Sequence, residues 1–281
     1  MFMAENNRLA ILDTDFVSKA NIIRSGSRTL ADEVLSFPGY QFFCHDKMKE
    51  ELDNHATRPA QEWLQQKISE KRIICLTDEQ ILTKMKMQIG EFCFTYYRSF
   101  LKRGCELFNS NIYDQYFNAI DQLLASGKCN ENSFLCVLAQ CEEKIGHQQS
   151  YGEIKAFVIA QVFKLIYHAD ICVFCSDDYD ARQGFANGDQ IPCISILSVF
   201  LKMKLLGLKY DIVNSYYTSF SDWCTNRANP QTHVKVWGFS EGSMRRLRVP
   251  VETLLTDIYE GQYEARKDGD LQFLQHAGKT V

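Results

Sequence analysis

Two short apolar runs that break off into acids constrain this chain more than any other feature. Leu9-Ala10-Ile11-Leu12 stops at Asp13-Thr14-Asp15, and Ile171-Cys172-Val173-Phe174-Cys175 stops at Ser176-Asp177-Asp178-Tyr179-Asp180. Apolar runs of this length fit buried strands. In an open α/β sheet, ligands bind outside the carboxyl ends of the strands. Acids placed there are site candidates, because burying an unpaired carboxylate elsewhere is costly.

The segments between the two runs set the fold class. Tyr40 to Cys44 and Ile73 to Leu76 read as further strands, and Ile191 to Ile194 as a short one. Helical patterns occupy 15–35 (broken near Ser25-Gly26-Ser27), 46–54, 59–71, 150–168 and 251–265, with Val234 to Trp237 as an edge strand. Strands that alternate with helices favour a parallel sheet covered on both faces. The expectation is one domain over 1–281, an α/β/α three-layer sandwich around a central parallel sheet. Residues 78–149 read as an all-helical insertion and residues 208–281 as a C-terminal helical extension.

Composition narrows the classes. With 46% hydrophobic residues, 19 Phe and 13 Tyr, the chain can bury a large core. A net charge of -4 does not point to nucleic acid, yet local basic patches can still face phosphate. Candidates are Lys202, Lys204 and Lys209, and the run Arg245, Arg246 and Arg248. No signal peptide and no run of about 18 apolar residues is visible. Eleven cysteines without a pairing framework then lead to the expectation of a reducing, cytoplasmic setting and no membrane.

Four acidic positions recur: Asp13 at the end of the first strand, Glu51 in a Lys-Glu-Glu-Leu helix, Glu153 in the first turn of a long apolar helix, and the cluster Asp177, Asp178 and Asp180. Each has a bland reading. Asp13 suits a helix cap, Glu51 or Glu153 a helix-start or surface carboxylate, and at least one of the late acids a turn. Together at one sheet end they would repel one another unless a cation lay between them. Mg²⁺ and Mn²⁺ take oxygen ligands and keep several waters.

Taken in order, these blocks resemble the PIN-domain (PilT N-terminus-like) family of metal-dependent ribonucleases. The resemblance rests on Leu12-Asp13-Thr14, Glu51-Leu52, Gly152-Glu153 followed by an apolar helix, and Ser176-Asp177-Asp178 with Ile191-Pro192-x-Ile194-Ser195 after it. It covers roughly residues 8–77 and 150–207 and leaves the insertion and the C-terminal part unexplained. It implies a PIN-like core in which Asp13, Glu51, Glu153 and Asp178 hold one or two Mg²⁺ or Mn²⁺ ions. Asp177 or Asp180 would assist, and Thr14 and Ser176 would orient the acids by hydrogen bonds. The implied activity is endoribonucleolytic hydrolysis of RNA, with DNA as a second substrate class. The resemblance further implies a toxin or anti-phage effector held by an inhibitory or regulatory protein partner, with homo-oligomerisation left open. The alternative is a catalytically inactive PIN-like module that binds RNA or protein.

Other motifs carry less. Cys172 and Cys175 form a C-x-x-C, but positions i and i+3 of a strand face opposite ways, so a core role is expected. His45 and His55 flank the Glu51 helix and read as capping or solvated residues. Ser18, Ser195 and Ser198 lack the context of a nucleophile elbow.

Overall fold

The computed structural model describes residues 8–54, 58–145 and 151–274. The chain opens with β1 (Arg8–Leu12), buried at every position after the first, and α1 (Thr14–Ile22). A two-residue hairpin, β2 (Arg24–Ser25) and β3 (Arg28–Thr29), turns at Gly26 (φ +60°) and interrupts the helix expected over 15–35. It leads to α2 (Leu30–Val34), where Thr29 and Asp32 cap each other reciprocally. Next come β4 (Tyr40–His45), α3 (Lys47–Asn54), α4 (Arg58–Ser69) with Pro59 in its first turn, and β5 (Ile73–Leu76).

Thr77 and Gln80 form a second capping box that starts α5 (Asp78–Ile89). The insertion continues through α6 (Phe92–Phe108), α7 (Ser110–Tyr116), α8 (Asn118–Ala125) and α9 (Glu131–Ile145), helical as expected. The chain then returns through α10 (Tyr151–Tyr167), β6 (Ile171–Cys175), α11 (Tyr179–Gln183) with a π turn at Gly184–Gly188, β7 (Cys193–Ile194) and α12 (Ile196–Leu205).

The central sheet has five parallel strands in the order β5-β4-β1-β6-β7. The chain builds outward from β1 on one side, then crosses back through α10 to build the other side from β6. β1 is therefore where the winding reverses, the place at which such sheets open a crevice. Alternation along β1 divides the core in two. Ala10 and Leu12 join Phe42 and Cys44 in a cluster with α1–α4 and α12, while Leu9 and Ile11 join Phe43 in a cluster with α5–α10. α10 is apolar nearly all round because it lies between the sheet and the insertion. Its Phe163 meets Phe43 at 4.7 Å, edge to face. The fold is thus an α/β one with helices on both faces of a parallel sheet.

The C-terminal part departs from the expected helical extension. It contains α13 (Tyr210–Thr225), β8 (His233–Ser240), β9 (Ser243–Pro250), α14 (Val251–Tyr259), β10 (Tyr263–Ala265) and β11 (Leu271–Phe273). The strands form a second sheet ordered β10-β11-β8-β9, so β8 is an inner strand there and not an edge of the main sheet. The hairpin signal was Glu241-Gly242, which takes positive φ at both residues, the backbone that a two-residue hairpin loop demands. The second sheet is anchored to the first: Lys267 O accepts from Cys193 N at 2.8 Å, and Gly269 (φ +78°) lies so near Cys193 that a Cβ would stand 2.9 Å from its carbonyl carbon. No described helix is long and apolar enough to cross a membrane.

Candidate functional site

Asp13 follows β1 at the reversal point, its amide still bonded to Cys175 O of β6 at 3.0 Å. It occupies the N-cap position of α1, but its carboxylate makes no capping bond. Instead Oδ2 accepts from Ser176 Oγ at 2.8 Å, with both side chains buried. The helix-cap reading of this side chain is therefore replaced by one in which the end of β6 holds it in place. Thr14 donates its hydroxyl to Glu51 of α3, linking the first and second acidic blocks.

Glu51 lies against Gly152, in the first turn of α10. A Cβ at Gly152 would meet Glu51 Oε1 at 2.6 Å and Oε2 at 2.7 Å. Only glycine lets that carboxylate approach the helix start, where the peptide dipoles favour negative charge. The next residue, Glu153, is half-buried. Its pKa is pushed up to about 7, by burial first and then by Glu51, Asp178 and Asp15. Asp13 is also held well above the carboxylate range, by burial and then by Glu153, with Glu51 and Asp15 adding to the effect against the Ser176 hydrogen bond. Glu51 and Asp15 thus raise both Asp13 and Glu153, with Asp178 adding to the field at Glu153.

The late acids divide their work. Asp178 is exposed, and its Oδ1 caps the short α11 by accepting from Ala181 N at 3.0 Å. Asp177 pairs with Lys19 at 2.8 Å and accepts from Ile196 N at 3.2 Å, tying α1 to the start of α12. Asp180 is exposed in the first turn of α11. Asp15 pairs with Lys19 at 2.7 Å, as suits an acid at a helix start. Glu50 points elsewhere and pairs with Lys47 at 2.9 Å.

The donor set is all carboxylate oxygen, partly buried and mutually repelling, which fits a hard divalent cation. Among the described residues, no three His, Cys, Asp or Glu side chains converge as a ready chelate. Mg²⁺ commonly takes one or two carboxylates and completes its shell with water, so paired acids such as Asp13 and Glu153 match that mode.

A second polar centre escaped the sequence reading. Lys155, fully buried in the second turn of α10, donates to both oxygens of Asp78 at 2.8 Å and to Tyr97 Oη at 3.0 Å, and pairs with Glu142 at 2.6 Å. His45 reaches Asp78 at 3.1 Å and Asp46 at 2.8 Å, and Tyr151 donates to Glu142 at 2.6 Å. Burial alone would raise Asp78, but Lys155 and His45 hold it far below the usual range. Lys155 is raised well above its usual value, Asp78 and Glu142 outweighing burial. The one visible signal was a lysine inside an otherwise apolar helix. This network ties α5, α6 and α9 of the insertion to α10 and β4. His55 lies outside the described residues.

The basic candidates separate in the same way. Lys204 is committed to Ile258 O at 2.6 Å. Arg245 is exposed and paired with Glu241 at 2.9 Å. Arg246 and Arg248 line a cleft of about 590 Å³ that also includes Lys19, Asp177, Tyr179, Trp223, Arg227 and Lys235. No family model matches this chain, and no curated protein or solved structure matches it.

Proposed function

We propose that the chain is a metal-dependent nuclease of the PIN-like type, acting on RNA through Asp13, Glu51, Glu153 and Asp178. The observation that carries the reading is the pair Asp13 and Glu153 beside the sheet's reversal point, both raised by burial and by neighbouring acids, Glu153 to about 7. Such a cluster is unfavourable to the folded chain and is the arrangement that a bound cation would relieve. Asp13 and Glu153 would hold the ion, with Glu51 and Asp178 completing its surroundings. When bound, Mg²⁺ or Mn²⁺ polarises a phosphoryl oxygen and makes water acidic enough to attack at neutral pH.

The chain's own groups do the rest. Ser176 fixes Asp13 Oδ2, Thr14 fixes Glu51, and the absent side chain at Gly152 leaves room for that carboxylate. Purified protein with Mn²⁺ should cut single-stranded RNA, and Asp13→Asn should abolish cutting. Undiminished cleavage in that variant sinks the mechanism.

A second reading, a PIN-like module that binds RNA or protein without cutting it, is favoured by the lack of a three-acid chelate among the described residues. It predicts RNA binding without cleavage in either metal.

A further inference from the structure

We infer that the cleft lined by the C-terminal hairpin, α13 and Lys19 is a binding track for a single-stranded nucleic acid, with Lys235, Arg248 and Arg227 on its phosphates and Trp223 under a base. This deepens the nuclease reading above and rests on it for the direction of the track.

The cleft joins parts that the sequence keeps far apart. Lys19 and Asp177 line it, and the same Lys19 pairs with Asp15 next to the acid cluster. The hairpin β8–β9 lines it as well. Its two faces differ: Val236 is buried in the hydrophobic core with Leu247 and Val249 packed against it, while Lys235, Arg246 and Arg248 line the cleft.

Lys235 and Arg248 are directly opposed across the two strands. Like charges in that position destabilise a sheet. Among the described residues neither has an acid within ion-pair distance, and Arg227 has none either. The other cations here are already occupied. Arg182 and Arg246 both bind Asp270, at 2.6 and 3.0 Å, and Lys19 is shared by Asp15 and Asp177. Arg246 leaves its buried Nε without an acceptor among the described residues. The cleft therefore carries surplus positive charge on a protein whose net charge is -4, and what it lacks is an anion.

Two features favour a strand of nucleic acid over an acidic protein segment. Trp223 is half-exposed in the wall, with Arg227 stacked on it at 4.9 Å, and Arg246 lies over Tyr179 at 4.1 Å. Aromatic faces among cations are what unpaired bases and their phosphates recognise. The cleft also includes Lys19, whose partner Asp15 adds to the field at Asp13 and Glu153, two of the acids proposed to cut a phosphodiester.

The test is fluorescence anisotropy with a fluorescein-labelled, mixed-sequence single-stranded RNA in EDTA, so that binding is read without metal or cleavage. Lys235→Ser with Arg248→Ser should weaken binding about tenfold at low salt and lower the slope of log affinity against log salt by about 1.4, the value for two lost phosphate contacts. Trp223→Ala should weaken it about five- to a hundredfold with the slope unchanged. Circular dichroism and thermal melts verify folding, and the two single serine variants, each lowering the slope by about 0.7, replace the double one if it is unstable. Wild-type affinity and slope retained in the double variant overturn the proposal. So does a wild-type protein that ignores RNA, including one that binds polyglutamate instead. If binding follows the prediction but no metal supports cleavage, the nuclease reading fails and the track stands.

Discussion

Glu153 and Lys155 stand two residues apart on α10, on faces about 200° apart, and enter opposite electrostatic surroundings. Lys155 is the centre of a balanced network: it answers Asp78 and Glu142 together with His45 on Asp78 and Lys47 on Glu142, and Tyr97 and Tyr151 take up further hydrogen-bonding capacity. Glu153 faces Asp13, Glu51, Asp178 and Asp15, all of the same sign. Both centres are polar, partly or wholly buried, and supported by the same helix. One is satisfied by the chain itself and joins the insertion to the core. The other is left unbalanced at the sheet's reversal point, the pattern expected where a protein reserves a site for something it does not encode.

The largest test breaks the balanced side. Lys155→Met leaves Asp78 and Glu142 with only His45 and Lys47 against them and should destabilise the fold by about 3–5 kcal/mol, read from denaturant midpoints. A variant as stable as wild type would show that the network is not what fastens the insertion. Next, the unbalanced side should be rescued from outside. Mn²⁺ at about 100 times its Kd should stabilise the wild type by about 2.7 kcal/mol and leave Asp13→Asn unshifted in a thermal melt. Equal shifts in both proteins would place the ion elsewhere.

Acidity separates the centres by sign. Glu153 is raised from the usual value of 4.5 to about 7, so between these values the folded state holds more protons than the unfolded one. Stability from this group therefore falls as pH rises through that window and levels off above about 7. Asp78 is depressed, so its contribution is present above the ordinary carboxylate range and is lost on acidification. Glu153→Gln should flatten the decline between about pH 4.5 and 7 in urea titrations, whereas an unchanged slope would assign the decline to another group. The smallest effect is the control. Glu50→Gln, beside Glu51 but paired only with Lys47 on the surface, should shift stability by about 0.5 kcal/mol or less and leave any cleavage intact.

Much of the main sheet was legible because it is written in local patterns. β5 (Ile73–Leu76) falls where the apolar run and the Thr77 cap place it, and the insertion is helical throughout its elements. What was missed depended on partners distant in sequence. The C-terminal strands read poorly because their alternation mixes aliphatic residues with arginines, which only a neighbouring cleft explains. Arg245 looked equivalent to Arg246 and Arg248, yet strand alternation and Glu241 direct it away from the cleft. Asp177 and Asp178 could not be told apart from spacing, because their roles are set by Lys19 and by the start of α11.

The sequence by itself determined the strand-and-helix order, the apolar faces, and the acids that end β1 and β6, since these follow from periodicity and from the cost of burying charge. Only the tertiary structure decided which charges are answered. Asp78 and Glu142, 64 residues apart by number, meet on Lys155, whereas Asp13 is raised by Glu153, Glu51 and Asp15. Electrostatic energy depends on separation in space, and nothing in the order of residues along a chain fixes that distance until the chain has folded.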